Sequence, residues 1–351
     1  MSGSSAEEGD TSALTRAELD AVAERMAAAG AELAGPLQSR LIAGGRSNLT
    51  YRLEDGTSAW VLRMPPRVGR TPSAHDVARE FRITSALRDS GVPVAPALVL
   101  CEDESVIGLP FAVAGFVPGR TIQSRADLAT LDDATLEAVT ARLVESLASL
   151  HGVDHVAVGL ERFGRPDAYA ERQIKRWSGQ WELVGEPALT PLADDLGSRL
   201  RGSTFDQRSV GIVHGDYRID NTILSLEPEP RVAAIVDWEL STIGDPVADV
   251  AMMCVYRHSA LDLVLGSASA WTSDRLPSPD GLAEAYVAAG GVELVDWEQH
   301  LALGYYKLAV IAAGIDHRYR VGATHGEGFD SAREAVAPLL EAGIAVLMEP
   351  A

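Results

Sequence analysis

A histidine, an aspartate and an asparagine stand close together in Ile212-Val213-His214-Gly215-Asp216-Tyr217-Arg218-Ile219-Asp220-Asn221. A second aspartate closes the apolar run of Ile235-Val236-Asp237-Trp238-Glu239. Two carboxylates and an amide offer hard oxygen ligands to Mg²⁺, and one carboxylate stays available to accept a proton. That combination suits phosphate chemistry. The intervening residues say how the groups would meet. A short strand is expected over residues 222–226, a turn at Glu227-Pro228-Glu229-Pro230, and a second strand over 232–236 ending on Asp237. The hairpin returns the chain to the loop it left, so Asp216, Asn221 and Asp237 are expected at one end of a small sheet. No further histidine or cysteine lies at ligand spacing from His214 and Asp216, so this is not the pattern of a zinc site.

The elements that must position this loop follow from periodicity. Leu19, Val22 and Met26 have helical spacing within residues 15–29. Strands are expected over 37–42, 49–54 and 59–63, with Gly44-Gly45-Arg46-Ser47-Asn48 and Asp55-Gly56 as turns. The glycine-containing loop exposes backbone N–H groups that can cover a phosphate. Residues 65–72 form a Pro/Gly/Arg-rich loop. Residues 74–90 read as a helix with Val77, Phe81, Thr84 and Leu87 on one side and Glu80 in its middle. Strands follow over 94–101 and 111–117, and Pro118-Gly119 marks a lobe boundary. Beyond it the chain turns helical, over 136–151, 162–181, 194–201, 246–258, 281–290, 296–317 and 332–348. The expected fold is α+β. After a disordered tail at 1–14, an antiparallel-sheet lobe (15–117) precedes a larger, mainly helical lobe (118–351).

Bulk composition narrows the class. The 351 residues are 46% hydrophobic and 23% charged, an ordinary globular mixture. A formal net charge of -20 argues against nucleic-acid binding, because a phosphate backbone would be repelled over most of the surface. Cys101 and Cys254 each sit in apolar surroundings and read as buried free thiols. No apolar run approaches a membrane span, and the acidic N-terminus lacks the basic region of a signal peptide. A cytoplasmic protein, monomeric or homodimeric, is expected. Nearly all the basic residues are arginine; the only lysines are Lys175 and Lys307.

The loop, the Asp-Trp-Glu strand end and Gly244-Asp245-Pro246-x₂-Asp249 together resemble the aminoglycoside phosphotransferase and choline kinase branch of the protein-kinase-like superfamily. The resemblance runs over residues 37–345. It is nearest to the kinase-like domains associated with acyl-CoA dehydrogenases, through Val61-Leu62-Arg63-Met64-Pro65-Pro66, Ala74-His75-Asp76-Val77-x-Arg79-Glu80 and Arg172-Gln173-x₂-Arg176-Trp177. The chain has no room for a dehydrogenase domain, so a stand-alone relative is expected. The resemblance implies ATP and Mg²⁺ as cofactors. It implies Asp216 as general base, and Asn221 and Asp237 as metal ligands. His214 and Asp249 would brace the loop. Ser47 and Asn48 would lie over the phosphates, and Ala114, Phe116 and Val117 would form the hinge that reads adenine. The wider superfamily anchors phosphate with a lysine on the third strand. Here Arg63 occupies that place, with Glu80 to orient it; arginine keeps the charge and binds phosphate bidentately.

The acceptor side is less defined. Arg172, Arg176, Trp177 and Arg318 are candidate lining, and the excess of arginine over acid in residues 169–181 favours a carboxylate-bearing or acyl acceptor. The leading expectation is a kinase acting on a hydroxy acid or hydroxyacyl derivative. An aminoglycoside phosphotransferase and a nucleotide-binding pseudokinase are the alternatives.

Overall fold

The computed structural model describes residues 13–43, 48–67, 76–322 and 330–348. Residues 1–12 of the expected tail, the loop residues 44–47 including Ser47, and residues 68–75 lie outside the described residues. The chain packs as two compact units, one from Met1–Asp89, Val94–Val117 and Asp237–Glu239, the other from Ser90–Pro93, Pro118–Val236 and Leu240–Ala351.

In the first unit, α1 (Arg16–Ala28) starts at Thr15, whose side chain and that of Glu18 form a reciprocal capping box. Such a cap stabilises a helix by about 1 kcal/mol. Strands β1 (Gln38–Ala43), β2 (Leu49–Glu54), β3 (Ala59–Met64), β4 (Ala97–Cys101) and β5 (Phe111–Gly115) form one antiparallel sheet in the order β1-β2-β3-β5-β4. Leu19, Val22 and Met26 of α1 join Tyr51, Leu53, Leu62, Met64, Phe111 and Val113 in one core. Burying each such side chain contributes about 1.5–3 kcal/mol. Strand alternation then turns Arg63, between Leu62 and Met64, to the opposite face.

Helix α2 (Val77–Ala86) packs on β4 and β5. Its buried face differs from the apolar reading. Glu80 and Ile83 are buried with Val77 and Ala78, whereas Phe81 and Thr84 are only partly covered. The cause is an inward polar residue: Glu80 turns toward Arg63, and the helix follows it.

The second unit contains α3 (Arg125–Leu128), α4 (Asp133–His151), α5 (Tyr169–Val184) and α6 (Thr190–Gly202). Then come β6 (Gly211–Val213), β7 (Thr222–Ser225), β8 (Arg231–Ile235) and β9 (Thr242–Gly244). It closes with α7 (Pro246–Val255), α8 (Ala260–Leu265), α9 (Pro279–Ala288), α10 (Trp297–Arg320) and α11 (Ala332–Val346). Strand β6 pairs with β9, and β7 with β8, both antiparallel. Helix α5 starts later than expected, after Ala168 in a left-handed conformation, and runs on to Val184. Helix α6 starts earlier, because Pro191 fits its first turn. The long α10 packs against α5, α7 and α11 and so carries its side chains past the loop that follows β6. Among the described residues no helix is long and apolar enough to cross a membrane.

Candidate active site

The loop after β6 is held by its backbone. Fully buried Asp249, on α7, accepts from the His214 amide at 2.6 Å and the Gly215 amide at 2.8 Å. His151 Nε2 lies 3.2 Å from the same carboxylate, and His151 Nδ1 lies 2.7 Å from the Tyr286 hydroxyl. Gly215 has φ +86°, and a Cβ there would lie 2.9 Å from the Leu240 carbonyl, so both conformation and space require glycine. The His214 ring accepts from the Asp216 amide at 3.3 Å through Nδ1, and its Nε2 lies 3.0 Å from the Val236 carbonyl. With both nitrogens engaged, His214 braces the loop.

These contacts present Asp216. Arg218 Nη2 and Asn221 Nδ2 donate to its Oδ2 at 3.2 and 2.8 Å, and Asn221 also donates to its carbonyl at 2.7 Å. Arg218 is itself clamped between Asp216 and Asp220 and lies over the Tyr256 ring at 4.9 Å. Burial works to raise the Asp216 carboxyl, but Arg218, the Tyr256 hydroxyl, His214 and Lys307 outweigh it and hold the group below its ordinary value. Asp216 is therefore an ionised, oriented carboxylate. Asn221 commits its NH₂ group to Asp216, which leaves its oxygen for a ligand.

Beside this loop a small recess of about 20 Å³, room for roughly one water, is lined by Tyr169, Gln173, Trp177, Gly215, Met252 and Lys307, among others, and not by Asp216. Of the expected acceptor residues, Trp177 is buried there and donates to Gln173 at 3.1 Å. Arg176 is exposed, with its guanidinium 5.1 Å from the Trp177 ring centre. Arg172 bonds the Arg165 carbonyl and stands 5.9 Å from the Tyr169 ring centre. Arg318 is exposed about three turns further along α10 than Lys307 and does not line the recess.

The first unit gathers a second charged cluster. Arg63 Nη1 pairs with Glu80 Oε2 at 2.9 Å, and Asn48 Nδ2 donates to Glu80 Oε1 at 3.1 Å. Arg63 Nη2 reaches within 3.7 Å of Asp237 Oδ1. Asp237 has φ 65°, a left-handed conformation that costs a non-glycine residue about 1–3 kcal/mol and is typical of functional positions. Its Oδ1 is buried without a hydrogen bond. Among the described residues, ligand atoms of Glu80, Asp237 and Glu239 all lie within 4.8 Å of one another. Burial, reinforced by Asp237 and Glu239, pushes the Glu80 carboxyl up to about 7 against the pull of Arg63 and Asn48. An unbonded buried carboxylate oxygen in such a cluster fits a hard dication.

Of the expected hinge, Ala114 pairs with Val61 and Ala97 within the sheet, and the Phe116 amide donates to the Ala59 carbonyl at 3.1 Å. The Phe116 carbonyl and the Val117 amide have no partner among the described residues. Arg52 stacks over the Phe116 ring at 4.2 Å.

Sequence reasoning missed Lys307, Tyr256 and His151. Only Lys307 left a trace, as one of two lysines in the chain, its scarcity making it worth locating.

Comparison with known proteins agrees with this architecture. Residues 38–303 match the family described as "Phosphotransferase enzyme family". The chain is 36% identical over 320 residues to chicken acyl-CoA dehydrogenase family member 11, covering 89% of this chain and 40% of that protein. It is 34% identical over 297 residues to mouse acyl-CoA dehydrogenase family member 10, covering 84% and 28% respectively. The chain thus spans less than half the length of these relatives. Among solved structures, a Ralstonia eutropha protein provisionally named an aminoglycoside phosphotransferase superposes with TM-score 0.79 at 31% identity, covering 93% of this chain and 97% of that one. The aminoglycoside phosphotransferase APH(4)-Ia, in a ternary complex with AMP-PNP and hygromycin B, shares the fold at TM-score 0.64 and 15% identity, covering 96% of this chain and 100% of that one. The chain belongs to the phosphotransferase enzyme family, with its two-lobed kinase-like α+β fold, and is a small-molecule kinase whose acceptor group is a hydroxyl.

Proposed function

We propose that this enzyme transfers the γ-phosphoryl group of ATP, with Mg²⁺, to the hydroxyl of a hydroxy acid or hydroxyacyl derivative. The observation that carries the reading is the state of Asp216. It is ionised despite its burial and oriented by Arg218 and Asn221. Such a group orients a hydroxyl and takes its proton as the oxygen attacks phosphorus. Residues 15–117 are the nucleotide-binding lobe and residues 118–351 carry the catalytic loop and the acceptor site. Arg63, fixed by Glu80, binds phosphate oxygens, and Ser47 and Asn48 would lie over the phosphates. The free Phe116 carbonyl and Val117 amide are the groups left to read adenine. Asn221 and Asp237 supply the oxygen ligands for the metal. When bound, Mg²⁺ would neutralise charge on the nucleotide phosphates.

Two observations favour an acyl acceptor. The relatives are acyl-CoA dehydrogenase family members, in which this chain matches only one segment. The basic side chains near the recess, Arg176 and Lys307, would repel a polycationic antibiotic.

An ATP-consumption screen over hydroxy acids, their CoA thioesters, aminoglycosides and choline-like alcohols tests the acceptor class. Asp216→Ala should lower turnover on the best acceptor by about 10²–10⁴-fold while Mg²⁺·ATP still raises Tm. Wild-type turnover in that variant would refute the assigned mechanism. A Tm that no nucleotide moves would refute the kinase reading itself.

A further inference from the structure

The small recess beside the loop is lined by one lysine whose donors are not all used. Lys307 lies on α10 and lines the recess together with Gly215, Gln173 and Trp177. Its ammonium carries three donors. Among the described residues it makes one hydrogen bond, to the Gly215 carbonyl at 3.1 Å, and it has no carboxylate within ion-pair distance. The carboxylates that act on its charge, Asp216 and Asp249, are engaged elsewhere. Asp249 is bonded by the His214 and Gly215 amides and by His151. Asp216 Oδ2 is bonded by Arg218 and Asn221. Lys307 is also one of only two lysines, and the other, Lys175, is exposed on α5. A single lysine anchored by the carbonyl next to the catalytic aspartate, with donors to spare, marks a binding site for an oxygen-bearing anion or dipole.

We propose that Lys307 is the acceptor-recognition cation of this enzyme, donating to an acyl oxygen of the substrate, carboxylate or thioester carbonyl, while Asp216 takes the hydroxyl. The proposal rests on the phosphotransferase reading and deepens its acceptor side. Gly215 links the two roles: its amide is fixed by Asp249 and its carbonyl holds Lys307, so the ammonium keeps a set position relative to the Asp216 backbone. Burial lowers the lysine below its ordinary value, and Asp216 and Asp249 oppose that shift. A cationic acceptor gains nothing here. A neutral alcohol would leave the ammonium donors unused.

Two measurements test the assignment. Biosynthetic labelling with ¹³Cε-lysine gives only two resonances, because the chain has only two lysines. Titration with Mg²⁺·ADP and then with lactate, 3-hydroxybutyrate, 4-hydroxypentanoate or their CoA thioesters should move the Lys307 signal and leave the Lys175 signal in place. The free acids and the thioesters, titrated separately, tell which acyl oxygen is read. 1,3-Butanediol and kanamycin should move neither signal. In the second measurement, Lys307→Met should raise KM for the best acidic or acyl acceptor at least tenfold and leave KM for ATP within twofold. Lys307→Arg should recover part of the loss.

The proposal is overturned if no acid or thioester moves the Lys307 signal, or if the diol or kanamycin moves it as strongly. It is also overturned if Lys307→Met lowers kcat alike for every acceptor without changing acceptor KM, the mark of a merely structural hold on Gly215. A failure to bind Mg²⁺·ADP at all would strike the phosphotransferase reading instead, and the thermal shift with nucleotide reports that separately.

Discussion

Glu80 and Asp216 are both carboxylates beside an arginine, and their surroundings push them in opposite directions. Burial lifts the Glu80 carboxyl to about 7, with Asp237 and Glu239 adding to the rise and Arg63 opposing it. Asp216 has Arg218, His214 and Lys307 around it, and its carboxyl is held below the ordinary range. A single arginine therefore does not decide the charge of a buried acid. Burial and the sign of the remaining neighbours decide it together. In the first unit the acids are gathered so that a cation is welcome; in the second they are matched so that one of them stays ionised.

Several changes would break this contrast or sharpen it. The largest effect is expected at Asp249, which serves the Asp216 side only. Asp249→Ala leaves two buried amides without their acceptor, and should cost about 3–5 kcal/mol of stability as well as activity. Denaturant unfolding with and without Mg²⁺·ATP would measure it, and wild-type stability would show that the loop holds itself.

The next effect tests the other side. Glu80 goes from an ordinary 4.5 to about 7 on folding, so the folded protein binds this proton more tightly than the unfolded chain. The stability this contributes is complete below about 4.5 and is lost as pH rises through about 7. The span corresponds to roughly 3 kcal/mol. In metal-free protein, Glu80→Gln should flatten the fall in Tm over that window; an unchanged slope would mean that other groups set it.

The smallest effect lies one step behind the loop. Tyr286→Phe removes the hydroxyl that meets His151 Nδ1, and should cost about 1 kcal/mol, with acceptor KM unchanged. A large kcat loss there would place the His151–Asp249 link much closer to catalysis than its geometry suggests.

How much of this was legible in the sequence depended on distance along the chain. His214, Asp216, Asn221 and Asp237 lie on one loop and one hairpin, where strand and turn signals are local and spacing carries meaning. The strands of the first unit were legible for the same reason: Asp55-Gly56 fixes the β2–β3 register, and alternation sends Arg63 to the face opposite Leu62. The face of α2 was misread because apolar spacing points to Phe81 and Thr84, whereas a buried ion pair turned Glu80 inward. Scarcity flagged Lys307, but its place beside the loop could not be read. It reaches Gly215 from a distant helix by tertiary packing alone, and no local pattern records that. Arg318, on the same helix, shows the converse: an attractive residue type, about three turns away from the recess.

The double grip of Asp249 on the His214 and Gly215 amides has a consequence for protein engineering. The loop's internal hydrogen bonds leave its His214 and Gly215 amides to a carboxylate outside it, so residues 214–221 do not form a transferable cassette. A chimera that imports the loop from a relative should retain its shape only if the Gly244-Asp245-Pro246 turn and the start of α7 come from the same parent. Recombination boundaries in this family therefore belong outside residues 211–249, however tempting the turn at Glu227-Pro228 looks as a splice point.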